Sequence, residues 1–207
     1  MAMLQFYETI LIKFKKNKTL TYVGGFDIHR GLESVLNSVP SIIKKISDFK
    51  LVLVGDGANL NSLKELSQKL KVEHYISFEG WQHHSKLPSY IKAANVCLIP
   101  HLKTQQTDNT IPHKLFHYML LKKPILSSNC NPIERILMDA NAGEIYKSSD
   151  SNDLAEKIIS IFNNEKLLKQ YGENGYKAVI EKYNWNETSK NLINLYKKVQ
   201  TELKQNG

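Results

Sequence analysis

Cysteine is scarce in this chain. Only Cys97 and Cys130 occur among 207 residues, with no CxxC spacing and no histidine next to either. A disulfide framework and a thiolate metal cage are therefore excluded, and both cysteines read as reduced, non-ligand residues of a cytosolic protein. No apolar run approaches the roughly 20 residues that span a bilayer, and the N-terminus lacks a signal-peptide apolar core followed by a cleavage site. Residues 4–14 are apolar in places but short, a connector or an interfacial segment. Acidic residues are outnumbered, 20 against 28 lysines and arginines. No helix-turn-helix or RNP pattern accompanies that basic excess, and the positive charge is dispersed, so a nucleic-acid-binding domain is not indicated.

What is present is a globular composition, with 42% hydrophobic residues and a formal net charge of +8. A field of that sign favours anionic partners: nucleotide sugars, nucleic acid or acidic membrane surfaces. Most of the lysines are interleaved with Asn, Ser or Glu in helical patterns, as on ordinary solvated faces.

The first 18 residues, ending in KFKKNK, contain no complete core unit and read as a connector, with the packed domain running from 19 to 207. Strand and helix patterns then alternate. Strands are expected at 20–23, 51–54, 75–78, 96–99, 125–127 and 143–146. Helices are expected between them at 32–43, where Pro40 should break or kink the helix, and at 60–70, 87–94, 115–120 and 133–138. From Asp153 onward the pattern is all helical, at 154–162, 167–183 and 187–203. Parallel strands need crossovers, and both faces of the sheet need cover. The expected fold is α/β, a Rossmann-like doubly wound parallel sheet with helices on both faces and a C-terminal helical extension. Ligands in such sheets bind outside the carboxyl ends of the strands. The loops there, 24–31, 55–59, 80–85, 100–109 and 127–132, are rich in glycine, histidine and arginine, suited to backbone contact and to phosphate. Asp56 and Gly57 read as turn residues.

The stretch 107–128, TDNTIPHKLFHYMLLKKPILSS, reads as loop, helix and buried strand. Thr107, Asp108, Asn109 and Thr110 are cap-forming types, and Pro112 suits the first helical position. Lys122 and Lys123 suit the C-terminal dipole, and Pro124 ends the helix. Free N–H groups at such a helix start make a ready anion site; a plain capped unit of the core is the other reading.

Taken in order, YVGGFDIHRG, LVLVGDG, ISFEGW, CLIPH and DNTIPHKLFHYMLLKKPI resemble the C-terminal, donor-binding domain of GT-B-fold glycosyltransferases of family 4, the glycosyl transferases group 1, from about Leu20 to Val199. The resemblance implies transfer of a glycosyl group from a nucleotide diphosphate sugar to an acceptor hydroxyl, with retention. It further implies a cytoplasmic protein at the inner face of a membrane, with a role in cell-surface polysaccharide or glycolipid synthesis. The nucleotide sugar is the donor substrate and no other cofactor is expected. With no Asp-x-Asp in the chain, as the metal-chelating GT-A type would need, no metal is expected either. The partner implied is an N-terminal acceptor-binding domain, which this chain does not contain, so the isolated chain is expected to bind donor but transfer poorly.

Carried over residue by residue, the family's glycine-rich strand end and basic pair fall on Gly24 and Arg30, with Gly25 where the family commonly has arginine. Lys114 is the candidate to compensate, or a surface lysine. Arg30, Lys114 and Asn109 are the candidate catalytic residues, helped by the backbone N–H groups of Thr110 and Ile111 against leaving-group charge. Trp81 and Gln82 match the loop at the nucleobase, and Trp81 reads equally as a structural aromatic. His101 either contacts the sugar or lines its loop. The family's two glutamates, eight positions apart, fall on Asn109 and His117. A carboxylate can accept from both ribose hydroxyls, whereas a neutral imidazole has one acceptor, so His117 either holds one hydroxyl or packs on its helix. These departures leave a second expectation: a non-catalytic nucleotide-binding or regulatory module with a degenerate donor site.

Overall fold

The computed structural model describes residues 2–205. Six parallel strands form one sheet: β1 (Lys18–Val23), β2 (Phe49–Val54), β3 (Ile76–Gly80), β4 (Val96–Ile99), β5 (Ile125–Ser128) and β6 (Gly143–Tyr146). Their order is β3-β2-β1-β4-β5-β6, so the chain winds outward from β1 to one edge, returns, and winds out again from β4. The β1/β4 seam is the topological switch point, where a crevice opens at the carboxyl ends of the strands.

Alternation along each strand decides which face each side chain covers. Leu20, Tyr22, Leu51, Leu53, Val96 and Leu98 enter one core cluster; Val23, Val52, Val54, Cys97 and Ile99 enter the other. The first face is covered by α2 (Leu32–Ile43), α3 (Leu60–Lys69) and α7 (Ser151–Phe162), through Val35, Leu36, Val39, Leu63, Leu154 and Ile158. The second is covered by α4 (Leu87–Ala93), α5 (His113–Leu120) and α6 (Asn131–Ala140), through Ile91, Leu115, Met119, Ile133 and Ile136. Both cysteines are buried and unbridged.

Four local expectations are corrected. Residues 2–14 form a helix, α1 (Ala2–Phe14), rather than a plain connector, and Ile10 and Phe14 are buried in the second core. Lys13 pairs with Glu79 at 2.5 Å, and Glu79 also accepts from Tyr90. Pro40 does not break α2, which continues to Ile43; so near the helix end the missing N–H costs one bond, and Val39 and Ile42 still bury on the same face. Pro112 caps α5 from outside the helix, at ψ 133°, and supplies no side-chain bond. Thr107 serves its own turn instead, accepting from Thr104 N and donating to the Leu102 carbonyl. Lys123, finally, donates to the carbonyls of Lys92 and Ala94 at the end of α4, not to its own helix, while Lys122 pairs with Glu173.

The extension comprises α8 (Glu165–Glu181) and α9 (Trp185–Gln205). A side chain at Gly172 would meet the Lys122 carbonyl, which is how α8 approaches the end of α5. Among the described residues no helix is long and apolar enough to cross a membrane.

Candidate donor site

Three glycine-bearing loops stack backbone to backbone at the carboxyl edge. Gly24 N donates to the Val54 carbonyl, Gly55 N to the Gly80 carbonyl and Phe26 N to the Asp56 carbonyl, each at 2.9 Å. Gly55 and Gly57 have positive φ, and a side chain on either would meet Gly24 or Phe26, so glycine sets the spacing of the loops. Asp56 caps its own turn, accepting from Gly57 N at 2.7 Å. Across the switch point, Leu102 N donates to the His29 carbonyl at 3.0 Å and ties the loop after β4 to the loop after β1.

Two cavities open at this edge. One, of about 210 Å³, is lined by Gly24, Gly25, Asp56, Trp81, Gln82 and Leu87, among others. Trp81 is 70% exposed at its rim, and Gln82 donates to the Glu79 carbonyl. Glu79 is thereby linked both to α1, through Lys13, and to this loop.

The other cavity, of about 380 Å³, is lined by residues that include Arg30, His101, Thr110, Ile111 and Lys114, together with His29 and His113. Gly24 of the first lies against Lys114 of the second: an added side chain at Gly24 would touch Lys114 Nζ. The site reading of the sequence overlooked His29, His113 and Gln106; the only signal was the position of the first two beside Arg30 and at the start of α5.

Lys114 reaches back from the first turn of α5 and places Nζ 3.9 Å from the centroid of the Tyr22 ring. Tyr22 is itself held by a bond from its hydroxyl to the Gly25 carbonyl at 2.7 Å. Burial, and then the nearby Arg30, lower the Lys114 pKa from 10.5 to about 7. His101 Nε2 lies 3.0 Å from Arg30 Nη1. A guanidinium can only donate, so Nε2 is the acceptor and the imidazole proton sits on Nδ1. Burial first, then Lys114, Arg30 and His29, lower the His101 pKa to about 3, and the ring is neutral. His101 is thus a neutral prop that aims Arg30.

Among the described residues, Arg30 Nε and Lys114 Nζ are the buried side-chain polar atoms that lack a hydrogen-bond partner. Such groups cost roughly 1–3 kcal/mol each, more when charged, and an anion in this cavity would satisfy both.

The remaining candidates are distributed differently. Thr110 and Ile111 line the second cavity but precede α5, so the first free N–H groups of that helix belong to His113 and Lys114. Asn109 is exposed, lines neither cavity, and donates its carboxamide to the Gln105 carbonyl at 2.7 Å. His117 lines a separate apolar groove of about 330 Å³ with Leu87, Ile91, Leu120 and Leu121. The eight-residue spacing thus leaves Asn109 and His117 without a common cavity.

The sequence profile of the family described as glycosyl transferases group 1 matches residues 6–178. Phosphatidyl-myo-inositol mannosyltransferase of Mycobacterium leprae is 25% identical over 185 residues, which cover 89% of this chain and 47% of that protein. Sucrose-phosphate synthase from Thermosynechococcus elongatus has a similar fold, with a TM-score of 0.80 at 22% identity, over 96% of this chain and 49% of the other. HepE of Anabaena, solved in complex with UDP-glucose, gives a TM-score of 0.76 at 12% identity, over 97% of this chain and 53% of the other. The chain spans about half the length of the curated relatives it matches.

Proposed function

The chain belongs to the glycosyl transferases group 1 family, and from that premise we propose that it is the donor-binding half of a retaining glycosyltransferase, taking a nucleotide diphosphate sugar and passing its sugar to an acceptor hydroxyl. The observation that carries this reading is the pair of buried, unpartnered donors, Arg30 Nε and Lys114 Nζ, at the switch point of the sheet. In the proposed complex the diphosphate lies between them. Arg30, aimed by neutral His101, and Lys114, its proton restored by the phosphate charge, stabilise the negative charge that grows on the leaving nucleoside diphosphate as the glycosidic bond breaks. The N–H groups of His113 and Lys114 add the positive end of α5. The base lies along the smaller cavity, with Trp81 to stack on it. The complex of HepE with UDP-glucose supports this direction of reading.

Lys114 here takes the place of the arginine that the family commonly carries at position 25. Gly25 leaves the strand end open, and the amine arrives from α5 instead. Acceptor recognition belongs to a partner domain, and this chain by itself is expected to bind donor without sustained transfer. A cytoplasmic setting at the inner face of a membrane, and a role in surface polysaccharide or glycolipid assembly, complete the proposal.

The outward-turned carboxamide of Asn109 and the separate groove around His117 favour a second reading, a nucleotide-binding module without transferase activity. Thermal unfolding with UDP, GDP, ADP, CMP and their sugar conjugates tests the first step. A ligand at 100 times its dissociation constant adds about 2.7 kcal/mol, or a midpoint rise of about 5–10 °C. Absence of any shift removes the donor-site reading. Donor binding without transfer, in a protein that includes the acceptor domain, selects the module.

A further inference from the structure

We propose that α1 belongs to the donor site: Lys13 is a positioning residue that, through Glu79, fixes the loop on which Trp81 and Gln82 stand, an inference that rests on the donor-site reading above. At the end of β3 the register slips. Leu53 faces Phe78 and Val54 faces Gly80, so Glu79 has no partner across the strand pair. A bulge of this kind bends the strand and re-aims the side chain it carries. Here that side chain is a carboxylate only 7% exposed. Charge is kept at such a place when it is both paired and hydrogen-bonded. Lys13 Nζ and Ser77 Oγ each lie 2.5 Å from Oε1, and the Tyr90 hydroxyl donates to Oε2 at 3.0 Å. Lys50, on the neighbouring β2, gives its amine to the His74 carbonyl at 2.8 Å and leaves the carboxylate to Lys13.

The bonds continue into the cavity wall. The Glu79 carbonyl accepts from the Gln82 carboxamide at 2.8 Å, and the next carbonyl, that of Gly80, accepts from Gly55 N at 2.9 Å. Trp81 stands between these two fixed points. At 70% exposure its ring has little packing to orient it, so its place at the rim of the smaller cavity depends on the backbone beneath it. α1 also reaches the other wall. Phe6 meets the Tyr90 ring edge-on at 5.8 Å, and Tyr90 lies on α4, whose first residue, Leu87, lines the same cavity. One helix therefore braces both sides of the place proposed for the base, and its charged contact is Lys13 to Glu79.

The test is calorimetric titration of the full chain with inorganic pyrophosphate and with UDP, GDP and ADP. It compares wild type, Lys13→Met and Lys13→Arg at a temperature where unfolding scans show all of them folded. Pyrophosphate reports the Arg30 and Lys114 end alone, and the extra affinity of a nucleotide over pyrophosphate reports the base loop. Lys13→Met keeps the stem and removes the charge. It is expected to cut that extra affinity about three- to tenfold, the scale of one hydrogen bond, with pyrophosphate binding as before. Lys13→Arg, which still pairs with the carboxylate, is expected to restore it. Tyr90→Phe takes one bond from the same carboxylate and is expected to shift the ratio the same way. A nucleotide advantage that Lys13→Met leaves intact overturns the proposal and leaves the donor site standing, as does a loss that pyrophosphate shares or that Lys13→Arg does not restore. If wild type binds pyrophosphate as tightly as every nucleotide, the smaller cavity is no base site and the proposal falls, with the phosphate end intact. If neither pyrophosphate nor any nucleotide binds, the donor-site reading falls and this proposal with it.

Discussion

Replacing Lys114 with methionine is expected to move the stability of the empty protein and its response to ligand in opposite directions. The side chains have similar length, so the stem keeps its place against Tyr22 while the buried amine disappears. In the unfolded chain the amine titrates near its ordinary value of 10.5; in the fold, burial and Arg30 bring it to about 7. At about 1.4 kcal/mol per unit, that difference corresponds to roughly 5 kcal/mol of lost stability. Loss of the contact with the Tyr22 ring and local water entry offset part of it, so a gain of about 2 kcal/mol, or about 4–8 °C, is the expectation for this chain length. The sign follows from proton counting. Between about pH 7 and 10.5 the unfolded chain holds the proton more tightly than the fold, so wild-type stability rises with pH across that window. The advantage of the variant should therefore be largest at or below pH 7 and fade towards pH 10.5. With a nucleoside diphosphate present the lead of the variant narrows, because the phosphate pairs with the amine only in the wild type; loss of that contact is worth about 1.5–3 kcal/mol, or about 10- to 150-fold in affinity. Thermal unfolding of both proteins at pH 7 and pH 10, with and without diphosphate, reads all four quantities. A variant that melts lower than wild type when empty, or that keeps the full ligand shift, refutes the account of Lys114 as an uncompensated buried cation awaiting an anion.

Other consequences are as direct. Gly172→Ala drives a methyl group into the Lys122 carbonyl and is expected to cost about 1–3 kcal/mol, read as a lower denaturant midpoint with an unchanged slope. Asp150 accepts from the N–H groups of Asn152 and Asp153 at the start of α7, so Asp150→Ala should lower stability by about 1 kcal/mol; an unchanged melting temperature would argue against that cap. Burial alone would raise the Glu79 pKa, but bonds from Lys13 and Ser77 carry it below its ordinary value. Its contribution is present above the unfolded pKa and is lost as pH falls through the folded one. Glu79→Gln should thus destabilise the protein at pH 7, with the gap to wild type closing in acid as pH falls through the lowered carboxyl pKa; a gap that persists in acid would mean that packing, not charge, holds α1 to β3. Gly24→Ala, at a φ of 146° with its methyl directed at Lys114 Nζ, should weaken diphosphate binding by displacing that amine, which titration against wild type would detect.

The architecture was legible in the chain because it rests on local, repeated information. Runs such as those at 51–54 and 96–99 are short, continuously apolar and followed by turn or loop residues, and their alternation with helical patterns admits few topologies. The strand carboxyl ends then followed, and with them the loops where a ligand would sit. α1 was missed because its apolar stripe is incomplete alone, and only α4 and Glu79 give Ile10, Phe14 and Lys13 something to meet. The use of Pro112 as a cap and of Lys123 for the end of α4 likewise depends on neighbours that no window of sequence contains. For the site, the chain supplied the inventory and the fold supplied the chemistry. Arg30 and His101 are 71 residues apart, and Lys114 is an ordinary helical lysine until Tyr22 and Gly24 enclose it. The family resemblance put Asn109 and His117 where its two glutamates fall, with a packed helix residue as the other reading of His117; in the fold Asn109 is exposed and bonded to the Gln105 carbonyl, and His117 lines a separate groove. Hydrophobic period and turn chemistry are properties of neighbouring residues and so can be read along the chain. Burial of a charge, and the pKa that results, depends on everything that surrounds it, and only the tertiary structure brings those groups together.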